Sequence, residues 1–305
     1  MRICAVSLLI FLLSLSSCSG ISERKGIEFS GERAFHYLVA QCDFGPRYPG
    51  SPGHKLAEGY LSSELRRWCD EVHLQRFKAR TSSGKELELV NIIGVINPKR
   101  SDVGEVKTIL ICAHWDTRPF AERERNSKET PILGANDGAS GVAVLLELAR
   151  VLSSFRPKVR VLFALFDGED YGMDTRDMFL GSRYFAKNFW KYKPDLGILL
   201  DMVGDKDLDI YIEENSWVAA PELVDLVWGV AEELGISAFH RSIKYRIMDD
   251  HIPLIEAGVK CIDIIDFDYP YWHTTRDTPD KCSPDSLKAV GEVVLKAIRK
   301  MEAKK

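Results

Sequence analysis

Residues 159–170 read VRVLFALFDGED, and this stretch decides the class of fold. Val159–Phe166 is a continuous apolar run broken only by Arg160, the pattern of a strand covered on both faces. It ends abruptly in Asp167-Gly168-Glu169-Asp170. A doubly covered strand with acids at its C-terminal end points to an α/β protein whose chemistry sits on one rim of a sheet.

The flanking segments repeat the alternation. Glu32–Cys42 and His54–Cys69 read as amphipathic helices, and Leu87–Asn97 (LELVNIIGVIN) and Val106–His114 (VKTILICAH) as strands. In Gly138–Phe155 the apolar residues Val142, Leu145, Leu146, Ala149 and Leu152 fall at helical spacing. Gly181–Tyr192 predicts a helix, Leu196–Val203 a buried strand and Asp209–Glu213 a short strand. Pro221 opens a helix where proline is tolerated. Asp250–Ala257 predicts a short helix, Val259–Phe267 a strand and Ser283–Met301 the last helix. The expected architecture is a three-layer α/β sandwich with a mostly parallel, mixed central sheet flanked by helices.

The 305 residues suffice for a substantial core, and 45% hydrophobic with 28% charged residues is ordinary for a globular chain. With a formal net charge of -4 and no basic stripe, nucleic acid is not an expected partner. Arg2 precedes a short apolar stretch, Ile3–Leu15, too short to span a membrane but suited to a signal peptide. It closes in Leu15-Ser16-Ser17-Cys18, which resembles the lipobox of bacterial lipoproteins. We therefore expect a signal peptide over 1–17, lipidation of Cys18, a polar tether over 18–30 and one catalytic domain over 31–305. The expected location is the cell envelope, lipid-anchored and facing the periplasm, as a monomer. No cysteine spacing suggests a thiolate metal site, and Cys112 and Cys261 read as core residues.

Polar residues gather where strands end. The strand ending at Ala113 leads into His114-Trp115-Asp116. The next helix is preceded by Gly134-Ala135-Asn136-Asp137-Gly138. Glu169 and Asp170 follow the opening stretch, Asp201 follows Leu196–Leu200, and Trp272-His273 follows Val259–Phe267. One such acid is usually a helix cap or a solvated charge. Histidines and carboxylates at every crossover instead form the N/O donor mixture that suits Zn²⁺. Asp116, two residues after His114, is placed to orient it.

In that order, HxD, NDG, an adjacent acidic pair, LDMVG and a late histidine, the chain resembles the zinc aminopeptidase family M28, with its zinc exopeptidase-like fold. More narrowly it resembles the glutaminyl cyclases. That narrower likeness rests on GPRYPGSPGH (45–54), AHWD (113–116), GSR (181–183), DDHIP (249–253) and YPYWHT (269–274). The resemblance implies that Asp137, Asp170 and His273 hold one zinc and that Glu169 is the general base and acid. It implies that Asp201 and Asp249 share a short hydrogen-bonded network and that Trp272, Ile247 and Tyr269 bind substrate. His114 and Asp201 match positions that hold a second zinc in the aminopeptidases, which leaves His114 and Asp116 as second-metal or supporting residues. The chain departs from the animal cyclases in two places. Glu169-Asp170 stands where they carry Glu-Glu, and 171–179 (YGMDTRDMF) lacks their tryptophan, with Met173 or Phe179 as candidates for that wall.

The activity so implied is zinc-dependent cyclisation of an N-terminal glutamine of peptides or exported proteins to pyroglutamate, with release of ammonia. A dinuclear aminopeptidase on the same scaffold is the alternative. A non-catalytic envelope lipoprotein is a third, against which every acid and histidine of the set is present.

Overall fold

The computed structural model describes residues 28–98, 106–124, 126, 129–189 and 191–303. Cys18, and the signal peptide and lipid attachment expected around it, lie outside the described residues. The described body opens with Phe29, 3% exposed and packed at Gly291, and with Ser30, whose hydroxyl accepts from the Arg33 N–H to cap the first helix.

The elements in chain order are α1 (Gly31–Cys42), α2 (Pro52–Trp68), β1 (Glu71–Arg80), β2 (Glu86–Ile96), β3 (Thr108–His114), α3 (Ala139–Phe155) and β4 (Arg160–Phe166). Then come α4 (Leu180–Lys187), β5 (Leu196–Asp201), β6 (Ile210–Glu213), α5 (Glu214–Ala219), α6 (Pro221–Leu234), β7 (Phe239–Tyr245), α7 (His251–Glu256), β8 (Lys260–Ile265) and α8 (Pro284–Ala303). Six strands form one sheet in the order β1-β2-β4-β3-β5-β8. Strands β4, β3, β5 and β8 run parallel, and β2 and β1 are antiparallel to their neighbours. The expected three-layer α/β sandwich with a mixed sheet is the fold found.

Alternate residues of the central strands face opposite layers. Ile109, Ile111, Phe163, Leu165 and Ile198 pack in the larger core with α1, α2, α3, α6 and α8. Leu110, Cys112, Leu162, Ala164 and Cys261 face the smaller core with Phe185 of α4 and Leu254 of α7. Helix α3 is buried over most of its turns, and Gly141 lets it lie against β5: a Cβ there would sit 2.1 Å from the Leu200 carbonyl oxygen.

Strand β3 lies between β4, next in sequence, and β5, the one after. The crossover helices α3 and α4 accordingly pack in the two different cores. Where strand order reverses in this way, the loops diverge and a crevice opens at the strand C-termini.

Three elements go beyond the sequence reading: β1, α5 and β7. Helix α4 is also shorter than expected, ending at Lys187, after which the Asn188 backbone leaves the helical region with φ -135 and ψ 55.

Candidate active site

The crevice at the C-terminal ends of β3, β4, β5 and β8 collects the expected residues. His114 is the last residue of β3 and Asp201 the last of β5. Asp116 accepts the N–H groups of Glu169 at 3.1 Å and Asp170 at 3.3 Å, one on each oxygen, and so fixes the turn after β4. Asp277 does the same for the loop before α3, accepting from the N–H groups of Asn136 at 2.8 Å and Asp137 at 3.1 Å. Gly138 follows with φ +104, and a Cβ there would meet the Asp116 carbonyl oxygen at 2.7 Å. His273 itself sits in the left-handed region with φ 56, as does Met202 with φ 45. Backbone held in that region by non-glycine residues is concentrated at functional sites.

The GPRYPGSPGH segment braces this rim from behind. The Arg47 guanidinium is fully buried and donates to the carbonyls of Gln41, Trp115, Leu133 and Gly134. His54 lies 2.9 Å from Asp167 and stacks on Trp115. On the other side Ser182, of the GSR segment, donates to Asp250.

Two donor sets share Asp137: Asp137, Asp170 and His273 in one, and His114, Asp137 and Asp201 in the other. In the first, His273 Nε2 is 3.4 Å from Asp170 Oδ1 and 3.7 Å from Asp137 Oδ2. Asp137 Oδ2 and Asp170 Oδ2 are buried without a hydrogen-bond partner. In the second, His114 Nε2 stands 3.2 Å from both Asp137 Oδ1 and Asp201 Oδ1, so these atoms already face one another.

Electrostatics separate the acids. Burial, then the charge of Asp170, push the Glu169 carboxyl well above its ordinary range. Burial and Asp201 do the same to Asp249. Asp170 goes the other way: burial would raise it, but His273, Arg118 and His114 hold it below the usual carboxylate range. Burial opposes a charged His273, yet Asp170, Glu122 and Asp137 push it up to about 9. A divalent cation inverts that balance by taking the place of the proton.

The described residues fit a zinc ion in the first set. The carboxylates of Asp137 and Asp170, each with one buried oxygen that lacks a partner, converge with the His273 imidazole, an N/O set of the kind zinc takes.

A small cavity of about 50 Å³ opens at this point, lined by Asp137, Glu169, Asp170, Asp201, Asp249 and His273 on its polar side. Trp272 and Ile247 line it as expected, but Tyr269 does not: it is 2% exposed and its hydroxyl donates to Asp277. Its place is under the pocket, supporting the residue that holds the Asp137 loop. Met178 also lines the cavity. Met173 is 74% exposed and Phe179 is buried in the core, so neither expected candidate lines it.

Sequence reasoning missed two groups. Arg118 and Glu122 contact Asp170 and His273, and nothing in their irregular segment marks them in advance. His251 and Asp263 join Asp249, already named from the sequence, in a third buried cluster that reaches the cavity wall at Asp249, with His251 Nε2 3.2 Å from Glu213. The aspartate interrupting the apolar strand KCIDII was the available signal for it.

The model of peptidase family M28 matches residues 91–298. The chain is similar to a glutaminyl cyclase of Bacteroides thetaiotaomicron, with a TM-score of 0.85 and 36% identity, covering 90% of this chain and 98% of that one. It is similar to a leucine aminopeptidase precursor from the same organism, with a TM-score of 0.84 and 36% identity over 89% and 97%. Among curated relatives, the glutaminyl-peptide cyclotransferase of Bos taurus is 26% identical over 92% of this chain and 85% of its own length.

Proposed function

The chain belongs to peptidase family M28, and we propose that within it the protein is a glutaminyl-peptide cyclotransferase. One observation carries this reading. The DDHIP segment that marks the cyclase likeness brings Asp249 into the same cavity as Glu169, Asp201 and the first donor set, and the likeness to solved glutaminyl cyclases spans nearly the whole described body.

In this reading Asp137, Asp170 and His273 hold one zinc. Lewis-acid polarisation of an amide carbonyl is the chemistry such an ion supplies when bound. The remaining work belongs to the chain. Trp272, Ile247 and Met178 enclose the side chain of an N-terminal glutamine and keep water out. Its neutral α-amine attacks the γ-amide carbon, a C–N bond forms, and the bond to the amide nitrogen breaks. Nucleophile and electrophile share one residue, so the ring closes without an activated water. Glu169, raised by its surroundings, takes the proton from the amine and delivers it to the departing ammonia. Asp249, which burial and the nearby Asp201 charge push well above the usual carboxylate range, keeps its proton and so keeps further negative charge from building up beside Glu169.

The pair of donor sets sharing Asp137 supports a second reading, a dinuclear aminopeptidase. Zinc titration separates the two. The cyclase reading expects one tight zinc per chain, with ammonia release from a Gln-initiated peptide lost on chelation and restored by zinc. Two equally tight zincs, or no ammonia from the loaded protein, would overturn it.

A further inference from the structure

We infer that Arg118 and Glu122 are positioning residues that orient His273 and Asp170 toward the cation between them. The inference rests on the metal-site part of the reading above, and not on which reaction the site performs.

The contacts form a closed chain. Arg118 Nε donates to Glu122 Oε2 at 2.8 Å, and Arg118 Nη1 donates to the Asp170 carboxylate and, at 3.3 Å, to its backbone carbonyl. Glu122 Oε1 accepts from His273 Nδ1. The Arg118 side chain is only 5% exposed, and its guanidinium also lies 4.8 Å from the Phe120 ring. A guanidinium this buried, and held through both Nε and Nη1, is fixed in place between Glu122 and Asp170.

Two consequences follow for the donors. With Nδ1–H given to Glu122, His273 presents Nε2 and its lone pair to Asp137 and Asp170. Arg118 holds Asp170 by Oδ1, the oxygen that lies 3.4 Å from His273 Nε2, and Oδ2 of the same carboxylate is buried without a partner. The charges also match. The carboxylates of Glu122, Asp137 and Asp170 are balanced by one guanidinium and one divalent cation. His273 needs an external brace because its own backbone is in the left-handed region, where a loop unconstrained by side-chain contacts relaxes.

Zinc alone is the probe, measured by competition with a chromogenic chelator, so no substrate enters the test. Glu122→Ala is expected to weaken zinc binding about 10- to 100-fold, the usual effect of removing an outer carboxylate from a ligating histidine. Glu122→Gln keeps an oxygen that can accept from Nδ1–H and is expected to recover most of the loss. In an Arg118→Ala background the effect of Glu122→Ala is expected to shrink, because Glu122 is then unanchored. Ring nitrogen NMR of the zinc-loaded wild type supplies a readout independent of any variant's folding: His273 is expected to carry its proton on Nδ1 and metal on Nε2. Wild-type zinc affinity in Glu122→Ala, or metal on Nδ1, would overturn the inference while leaving the metal reading intact. A wild-type chain that takes up no zinc would overturn both.

Discussion

Glu169 and Asp170 are adjacent in the chain, yet their surroundings push their carboxyls in opposite directions. Glu169 is raised by burial and by its neighbour's charge, whereas Asp170 is held low by His273 and Arg118. Environments that separate two acids in this way assign them different work: the raised one moves protons and the lowered one stays an anion and ligand. Glu169→Gln is therefore expected to keep zinc and fold while losing about 10²- to 10⁴-fold in kcat, the usual share of a positioned acid–base group. Asp170→Ala is expected to lose zinc and activity together. Metal content measured beside single-turnover rates distinguishes the two. A Glu169→Gln variant with full zinc and near-wild-type turnover would remove the proton-shuttle role.

At the scale of elements, helix α3 and strand β5 set the spacing of the crevice. Their approach depends on Gly141, where an added Cβ would lie 2.1 Å from a backbone carbonyl that cannot swing away. Gly141→Ala is expected to cost about 1–3 kcal/mol, as overpacking does, and to lower the thermal midpoint; an unchanged midpoint would show that α3 can shift freely. Elements of this kind were legible because their apolar periodicity is local. The strand 159–166, the helix after Gly138 and the acids at strand ends all follow from neighbouring residues. Strand β1 was not legible, because in EVHLQRFKAR the alternation changes phase: Val72 and Leu74 lie on one parity, Phe77 and Ala79 on the other. Strand β7, FHRSIKY, is mostly exposed and carries too few apolar residues to show a period. Arg118 and Glu122 were missed for a different reason. Their partners lie 52 and 151 residues away, so only the folded chain reveals them. Met178, at the end of the short helical turn 175–177, lines the cavity, whereas Met173 before the turn is exposed and Phe179 after it is buried elsewhere.

At the scale of the whole molecule, buried acids make stability depend on pH. Asp266 sits between the cavity-lining Ile265 and Phe267 without lining the cavity itself; it is 1% exposed, and burial outweighs the two N–H groups it accepts from Asp209 and Asp268 to push it up to about 7. Its unfolded value is about 3.9. The folded chain thus holds a proton that the unfolded chain has lost, and stability falls as pH rises from about 4 to about 7. Urea midpoints at about pH 5 and about pH 8, under constant chelation, are expected to differ less in Asp266→Asn than in wild type, by on the order of 2 kcal/mol. An identical pH response in both would contradict that assignment. The molecule's central property is the reaction its rim carries out, and intact-mass measurement of a Gln-initiated peptide after incubation with the zinc-loaded protein tests it most directly. Cyclisation predicts a product that keeps every residue and is lighter by one ammonia, together with no free glutamine. A product shortened by its whole first residue, with free glutamine released, would contradict it.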